Sequence, residues 1–431
     1  MKTFLSIQIL IVMSICNLLF VAHMDAQILN YQEFSGVVVE EGSDRPLESV
    51  SIKLNGTNLG TITNREGDFS IKVPEDRNIV SITFSLLGYE PETFMLSEFK
   101  ASDNLISLKL KVTELSQVNI SSFKNAEALV KAVFEKKSVN NLNKATVMTA
   151  FYRETIKRRN RNVSLTEAVV NLYKKPYQSS EKDAIALHKA RKSTDYRKLD
   201  TVALKLQGGP FSTLYLDMMK YPEYIFTDET FDEYEFSFAN PTTINNKAVY
   251  VVSFRQKSHI ELPRYFGSLF IDAETLALSS AEYRLNLEDM DRHIENLFVE
   301  RKPRDVKVTP LEAAYKVDYR ERNGQWYYGY GNVSLTFKVD KKGKLFNSVY
   351  TLQSEMAVTD WELDEESSRL RSRDRLRPTV IMSDAVSGFS DPDFWGAYNV
   401  IEPEKSIESA INKIQRRLKP KQQLVLLTLS I

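Results

Sequence analysis

The stretch that decides the fold is Phe34–Pro74, FSGVVVEEGSDRPLESVSIKLNGTNLGTITNREGDFSIKVP. Phe34–Val39 is β-branched, and Val50–Leu54 and Asp68–Val73 alternate apolar and polar residues, which is typical of half-buried strands. Asn55-Gly56 supplies the positive φ angles that a tight hairpin needs. The other strand candidates are Gly60–Thr63, Ile79–Ser85, Tyr89–Leu96 and Leu105–Leu110. Seven short strands with regularly spaced turns predict a β-sandwich over residues 33–112.

This order of strands and turns resembles the carboxypeptidase regulatory-like domain. That family is a transthyretin-type sandwich, common at the start of cell-envelope proteins of the Bacteroidetes. The residues that carry the resemblance are Gly36, Pro46, Gly56, Gly60, Gly67, Phe69, Gly88 and Tyr89. We interpret them as architectural, with glycines at turns and the two aromatic residues in the core.

Two kinds of domain that often follow this one in the same chain are excluded by the rest of the sequence. A zinc carboxypeptidase needs a His-x-x-Glu pair, but Arg191, Leu262 and Asn296 stand three residues after the histidines that follow the leader. A TonB-dependent transporter needs a longer chain and more turn glycines than are present. We therefore expect no metal and no cofactor.

The first residues predict export. Met1-Lys2-Thr3 is a short positive start, Phe4–Ala22 is apolar, and Ala26-Gln27 suits cleavage, so residues 1–26 are assigned as a signal peptide. The alternative is a retained N-terminal anchor, because the apolar run approaches the length of a membrane span. Cleavage removes Cys16, the only cysteine. Because the mature chain then has no thiol, thiol catalysis, disulfides and thiolate metal sites are excluded.

Charge and hydropathy narrow the possible partners. The 57 basic residues equal the 57 acidic ones, whereas a nucleic-acid-binding protein normally carries a basic excess. No apolar run after the signal has the length of a transmembrane helix. We expect an exported protein, periplasmic or associated with the outer membrane, that binds no nucleic acid.

Residues 121–420 predict a mostly antiparallel α+β domain. Asn125 caps a helix with apolar residues at helical spacing, and long alternating segments follow from Lys144 onward. The strand candidates are Thr146–Lys157, Val163–Tyr173, Tyr234–Phe238, Ala248–Gln256, Gly267–Asp272, Leu278–Asn286, Ala314–Arg320, Trp326–Tyr330, Val333–Val339 and Ser348–Val358. Leu199–Leu206 and Thr213–Met219 are expected to be helical. A last helix begins at Ser406, and residues 421–431 form a tail.

Two further resemblances concern this second domain. Phrases such as AFYRET (150–155) and DPDFWGAYNVIEPE (391–404) resemble envelope proteins of the Bacteroidetes that carry the same sandwich, a resemblance that implies no activity. The phrase GSLFIDAETLAL (267–278) is similar to one in the periplasmic lipoprotein carriers, which are half-barrels of antiparallel strands around an apolar cavity. The second resemblance implies a half-barrel here.

Two groups of residues are candidates for binding. Trp326, Tyr328 and Tyr330 alternate along one predicted strand, so they would share a face and line a lipid cavity or stack on sugar rings. Interior packing is the alternative. Four basic residues at a predicted hairpin tip are candidates for contact with an anionic partner, a solvated tip being the alternative: Lys157, Arg158, Arg159 and Arg161.

A third basic segment has arginines at alternate positions from Arg369 to Arg377, interpreted as a charge-neutralised surface loop or lid. No nucleophile elbow, phosphate-binding loop or dinucleotide fingerprint occurs in the chain.

The leading hypothesis is a non-catalytic envelope binding or scaffolding protein, with the sandwich as adaptor. Its second domain would bind an apolar or glycan ligand, or a protein partner. The alternative is a hydrolase that acts on peptide or glycan through paired carboxylates, because two carboxyl groups with different pKa values can perform acid–base catalysis.

Overall fold

The computed structural model describes residues 30–75, 77–111, 123–159, 161–194, 207–227, 229–287, 305–343, 347–364, 370–386, 394–405, 407 and 409. The predicted signal peptide, the 199–206 segment, most of the predicted C-terminal helix and the tail lie outside these residues.

The N-terminal unit is the predicted sandwich. Its strands are β1 Tyr31–Glu40, β2 Ser51–Leu54, β3 Gly60–Ile62, β4 Asp68–Pro74, β5 Ser81–Ser85, β6 Glu92–Met95 and β7 Asn104–Leu108. One sheet has the order β4-β1-β7 and the other β3-β2-β5-β6. Apolar side chains at alternate positions, among them Phe34, Ile52, Phe69 and Phe84, fill the space between the sheets.

Gly36 shows why the motif requires glycine at one position. β1 runs parallel to β7 there, and a Cβ atom on Gly36 would lie 2.1 Å from the carbonyl oxygen of Asn104. Any side chain at this position would therefore separate the two strands.

The second unit is built on an open sheet of ten antiparallel strands. These are β8 Thr146–Arg158, β9 Arg161–Lys174, β10 Ala184–Thr194, β11 Tyr234–Ile244, β12 Lys247–Gln256, β13 Tyr265–Asp272, β14 Leu278–Leu285, β15 Val306–Arg322, β16 Gln325–Lys341 and β17 Ser348–Leu363. The order is β10-β9-β8-β17-β16-β15-β14-β13-β12-β11, so the pairing of β8 with β17 joins the first and last parts of the domain.

Among the described residues of this unit, four α-helices have defined bounds: α1 Ala126–Glu135, α2 Lys137–Asn140, α3 Pro210–Leu214 and α4 Met382–Ala385. The Asn125 side chain accepts a hydrogen bond from the Ala128 amide at the start of α1, as predicted. α1 contacts β11, α2 contacts β16, α3 contacts β16 and β17, and α4 contacts β9. None of the helices in the described part of the chain is both long and apolar enough to cross a membrane.

The predicted fold class is confirmed: a seven-stranded sandwich precedes a mostly antiparallel α+β domain. An open sheet with helices against it agrees with the expected half-barrel arrangement. Three details differ. β10 was not predicted, the candidates at 326–330 and 333–339 form one strand, and Thr213–Met219 is helical only through Leu214.

The two faces of the ten-stranded sheet meet different partners. On the helix face, buried residues such as Tyr152, Val317 and Tyr328 form one large core with residues of α1 and α3. On the sandwich face, Phe151 and Tyr330 pack in a smaller cluster with Ile62 of the sandwich. The sandwich therefore lies against the sheet and contributes to a shared core.

Residues 394–405, which we call the strap, connect the sandwich to the sheet. The strap's Asn399 side chain accepts a hydrogen bond from the Lys72 amide at 2.7 Å, and the carbonyl of Val400 accepts one from Thr61 at 2.8 Å. Trp395 packs edge-to-face on Phe151 of the sheet. The strap thus touches both units at once.

Candidate functional site

The predicted aromatic stripe does not share one face. Trp326 and Tyr328 belong to the helix-face core, whereas Tyr330 packs on the sandwich face. The cause is a β-bulge: Tyr319 of β15 pairs with Tyr328 and Asp318 pairs with Tyr330, so Gly329 is the extra residue. The expectation of a common face is therefore wrong, because strict alternation fails at a bulge.

All three aromatic side chains are buried, Trp326 at 3%, Tyr328 at 0% and Tyr330 at 2% exposure. The Tyr328 hydroxyl donates to the Thr213 carbonyl, and the Tyr330 hydroxyl donates to Glu355. Tyr330 also lines a cleft between the sandwich and the sheet.

A buried ionic cluster lies next to Tyr328. The Lys174 ammonium contacts Asp183 at 2.7 Å and Asp217 at 2.8 Å, and all three side chains are at most 2% exposed. Burial lowers the pKa of Lys174, but the two carboxylates outweigh burial and hold that pKa above its usual value. The Tyr177 and Tyr319 hydroxyls donate to Asp217 at 3.0 Å each. The carboxylates of Asp183 and Asp217 share one cation, and Asp217 also accepts two hydrogen bonds from tyrosine hydroxyls. This arrangement suits a structural role.

A second buried cluster, on the sandwich face, anchors the strap. The Arg153 guanidinium lies 2.8 Å from Glu167 and also donates to the carbonyl of Ile401 at 2.6 Å. Arg191 contacts the other oxygen of Glu167 at 2.7 Å. Here too the buried carboxylate is neutralised by its neighbours.

The predicted basic tip is the turn between β8 and β9. Lys157 pairs with Glu404 of the strap at 3.1 Å, and Arg158 donates to Ser348 at 3.0 Å. Arg159 and Arg161 are exposed. Two of the four predicted basic residues, Lys157 and Arg158, therefore have intramolecular partners.

The arginine-rich segment covers a sheet edge. Its described part contains a short 3-10 turn at Ser372–Asp374, and the Leu376 amide donates to the Ile185 carbonyl of edge strand β10 at 2.8 Å. Arg369 lies outside the described residues. A segment that lies along an edge strand in this way keeps the strand's backbone groups from pairing with another chain.

A polar cleft lies between the sandwich and the sandwich face of the sheet. This cleft has a volume of about 640 Å³. The sandwich contributes Glu48, Ser49 and Arg65 as one wall. Strands β13 to β16 contribute the floor, which includes Phe266, Ser268, Glu282, Arg284, Lys316 and Asn332.

The cleft floor combines charge with one exposed ring. Lys316 pairs with Glu282 at 3.0 Å, and Arg284 pairs with Glu312 at 3.5 Å. Phe266 on β13 is 42% exposed although it is a large apolar residue. Donors, acceptors and an aromatic surface thus face one space at the boundary of two units, where ligand sites commonly form.

Sequence reasoning missed the cleft. Alternate polar residues on β14 and β15, such as Glu282, Arg284 and Lys316, indicate a wet strand face by themselves. Nothing in the local pattern shows that the Arg65 turn of the sandwich lies over that face.

Glu154 is a buried carboxyl whose environment differs from that of the carboxylates in the two ionic clusters. It is 2% exposed on the helix face and accepts a hydrogen bond from the Tyr152 hydroxyl at 3.0 Å. Burial raises the pKa of Glu154 to about 7, and the negative charge of Asp384 adds to that rise. The hydroxyls of Ser212 and Ser354 lie 3.2 Å apart in the same region.

Metal binding has no support in the described part of the chain, where no three His, Cys, Asp or Glu side chains gather into a site. His259 lies in the loop between β12 and β13, so it does not share a strand face with Glu261.

Comparison with known proteins identifies the first unit. Residues 34–120 match the family model of the CarboxypepD_reg-like domain. This confirms the domain predicted at residues 33–112, which makes up about a fifth of the chain. No curated protein matches the chain significantly.

Several solved structures are similar to parts of the chain. A DUF1329 family protein from Desulfovibrio piger is 12% identical, with 55% of this chain and 93% of that chain covered and a TM-score of 0.23. A LolA superfamily protein from Nitrosomonas europaea is 10% identical, with 57% and 99% covered and a TM-score of 0.20. Lipovitellin is 7% identical, with 55% and 27% covered and a TM-score of 0.24.

Proposed function

We propose that this protein is an exported, non-catalytic binding protein of the cell envelope, and that its ligand lies in the cleft. The observation that carries the proposal is the convergence of sandwich and sheet side chains on one space of about 640 Å³. In this view the sandwich is one wall of the site, so it does more than connect the second domain to the envelope.

The chemistry of the cleft favours a polar ligand. Arg65, Arg284 and Lys316 supply donors, and Glu48 and Glu282 supply acceptors. Phe266 is the exposed ring among them, and Phe270 and Tyr315 also line the cleft. The expected apolar cavity beside Trp326 and Tyr328 finds no support, because these rings are packed in the helix-face core.

The test is native mass spectrometry of the protein purified from its own envelope, with the wild type compared with Phe266→Ala and Arg284→Ala. We expect the wild type to carry a polar ligand or partner and both variants to lose most of it. Arg255→Ala is the matched control, since Arg255 is exposed on β12 and does not line the cleft. Equal occupancy in all four proteins would refute the cleft as the site.

The second candidate function is hydrolysis of peptide or glycan, with Glu154 as the acid, because this carboxyl accepts a hydrogen bond from the Tyr152 hydroxyl near the hydroxyls of Ser212 and Ser354. A carboxyl with a pKa of about 7 holds a proton that a general acid can donate near neutral pH. This hypothesis predicts turnover of a peptide or glycan substrate that falls by about 100-fold or more in Glu154→Gln. Turnover unaffected by that substitution, with Glu235→Gln as an exposed control, would reject Glu154 as the acid.

A further inference from the structure

We infer that Lys174 and Asp183 become joined by an intramolecular amide bond, with Asp217 as the group that transfers the proton. These three side chains form one compact buried group, which we call the Lys174 triad. The Nζ atom of Lys174 lies 2.7 Å from Oδ2 of Asp183 and 2.8 Å from Oδ2 of Asp217. An amine, an acyl carbon and a proton acceptor therefore meet at one place. The inference goes beyond the function proposed above, because no member of the triad lines the cleft.

The fold holds the reacting groups in contact. Lys174 is the last residue of β9 and Asp183 directly precedes β10, so the hairpin that joins these strands brings the two side chains together. Asp217 follows α3 and reaches the same point. Groups held in this way react with effective molarities that reach about 10⁵–10⁸ M. This proximity offsets the unfavourable equilibrium of amide formation from an ammonium and a carboxylate in water.

The Lys174 triad is shielded from water. All three side chains are at most 2% exposed. Three aromatic rings surround the Nζ atom of Lys174, with centroids at 5.3 Å for Tyr177, 5.6 Å for Tyr221 and 5.9 Å for Tyr328. Opposite charges buried in such a place carry a desolvation cost that a neutral amide does not carry. The exclusion of water also protects the amide from hydrolysis.

Hydrogen-bond donors prepare Asp183 for attack by the amine. Its Oδ1 atom accepts a hydrogen bond from the Lys175 backbone amide at 2.7 Å, and its Oδ2 atom accepts one from the Tyr221 hydroxyl at 2.7 Å. A backbone N–H directed at Oδ1 stabilises the negative charge that develops on this oxygen when the carbon is attacked. Oδ2, which lies against Nζ, is then the oxygen that leaves.

Asp217 is placed to accept a proton from Lys174. The hydroxyls of Tyr319 and Tyr177 donate to its two oxygens at 3.0 Å each, which fixes the carboxylate beside Nζ. Burial lowers the pKa of Lys174, but the two carboxylates outweigh burial and hold that pKa above its ordinary value, so the ammonium must first lose a proton. Asp217 accepts this proton, and the free amine attacks Cγ of Asp183.

The reaction balances in atoms and in charge. The bond between Cγ and Oδ2 of Asp183 breaks as the bond from Cγ to Nζ of Lys174 forms. Two of the three ammonium protons leave with Oδ2 as one water molecule, and Asp217 carries one of them. The net charge of the triad is unchanged, because one ammonium and one carboxylate become a neutral amide and Asp217 stays ionised. No oxidant or reductant is needed.

An amide cross-link supplies what this chain cannot obtain from thiols. Cys16, the only cysteine, lies in the predicted signal peptide, so the described residues cannot form a disulfide. A bond between Lys174 and Asp183 closes the β9–β10 hairpin covalently. Like a disulfide, it stabilises the fold by restricting the unfolded chain.

The inference is tested by intact-mass spectrometry of the full-length mature protein under denaturing conditions. We expect the wild type to be lighter than its sequence mass by about 18 Da, the mass of one water molecule, and Lys174→Met and Asp217→Asn to lack this deficit. Each protein is compared with its own sequence mass, so a modification common to all of them cancels. Tandem mass spectrometry of a proteolytic digest should find Lys174 joined to Asp183.

Lys131→Met is the matched control. Lys131 lies 2.7 Å from Glu127, but both side chains are at least 44% exposed, so this variant should keep the whole deficit. Asp217→Asn is nearly isosteric, and it keeps the test valid if Lys174→Met does not fold. The inference is overturned if the wild type has its full sequence mass, if the deficit persists in Lys174→Met or Asp217→Asn, or if Lys174 is found joined to Asp217.

Discussion

Lys174 is the residue whose loss we expect to cost the most stability. Its ammonium lies between Asp183 and Asp217, and removing it leaves two carboxylates buried without their cation. We predict that Lys174→Met lowers the free energy of unfolding by about 3–5 kcal/mol, measured by urea denaturation at pH 7.

A matched exposed pair provides the control for this prediction. Lys131 and Glu127 form an i,i+4 ion pair on α1 with both side chains at least 44% exposed. Lys131→Met should change the free energy of unfolding by no more than about 0.5 kcal/mol. Similar losses in the two variants would show that the buried cluster has no special role.

Glu154 should make stability depend on pH. Its folded pKa is about 7 against an ordinary value of 4.5, so between these values the folded protein binds the proton more tightly than the unfolded chain does. This contribution is fully present below pH 4.5 and is lost as pH rises through 7. Glu154→Gln should remove it.

The measurement is urea denaturation of both proteins at pH 5 and pH 8. We expect the free energy of unfolding to fall between pH 5 and pH 8 by on the order of 3 kcal/mol more in the wild type than in Glu154→Gln. Parallel pH profiles would mean that Glu154 titrates near its ordinary value in the folded state.

At the scale of the element, the bulge in β16 decides which side chains reach which face. A Cβ atom on Gly329 would lie 2.7 Å from Cγ of Arg320. Arg320 in turn donates to the Val358 carbonyl at 2.7 Å and to the Thr61 carbonyl of the sandwich at 3.4 Å. Glycine at position 329 thus leaves room for a side chain that links two strands and two units.

We predict that Gly329→Ala lowers the free energy of unfolding by about 1–3 kcal/mol, because overpacking displaces Arg320 from its two carbonyl partners. Chemical denaturation measures the loss. Ser334→Ala on the same strand is the control, since Ser334 is half-buried at the cleft and should tolerate the change. Unchanged stability of Gly329→Ala would show that the bulge tolerates a side chain.

Strand prediction succeeded where β-branched and aromatic residues dominate and failed where basic residues replace them. β8 and β17 are rich in β-branched and aromatic residues and were predicted within a few residues of their observed ends. β10 was missed because its apolar positions, Ile185 and Leu187, precede a bulge and a run of basic residues. The bulge at Gly329 likewise places Tyr330 on the face opposite to Tyr328. The alternation of residues in the sequence does not predict this bulge.

At the scale of the whole molecule, the strap and the shared core join the sandwich to the sheet. Ile62 of the sandwich packs with Phe151, Trp395 and Ile401 in one cluster. We therefore predict a single cooperative thermal transition for the described units, measured by calorimetry. Two separate transitions in the wild type would contradict this coupling.

Asn399→Ala tests the strap directly. It removes the buried side chain that accepts a hydrogen bond from the part-buried Lys72 amide, which should lower the free energy of unfolding by about 1 kcal/mol. Tyr398→Phe is the control on the same segment, because the hydrogen bond between Tyr398 and His188 is exposed. Equal effects would indicate that the strap does not depend on its buried contact.

The sequence by itself determined the sandwich and the antiparallel character of the second domain. Both follow from local sequence features, namely the alternation of residues in strands, turn residues such as Asn55-Gly56, and the helix cap at Asn125. Only the tertiary structure decided which faces are covered and where a ligand has room. The cleft exists because the Arg65 turn of the sandwich lies against strands more than 200 residues away, a long-range packing that no local period encodes.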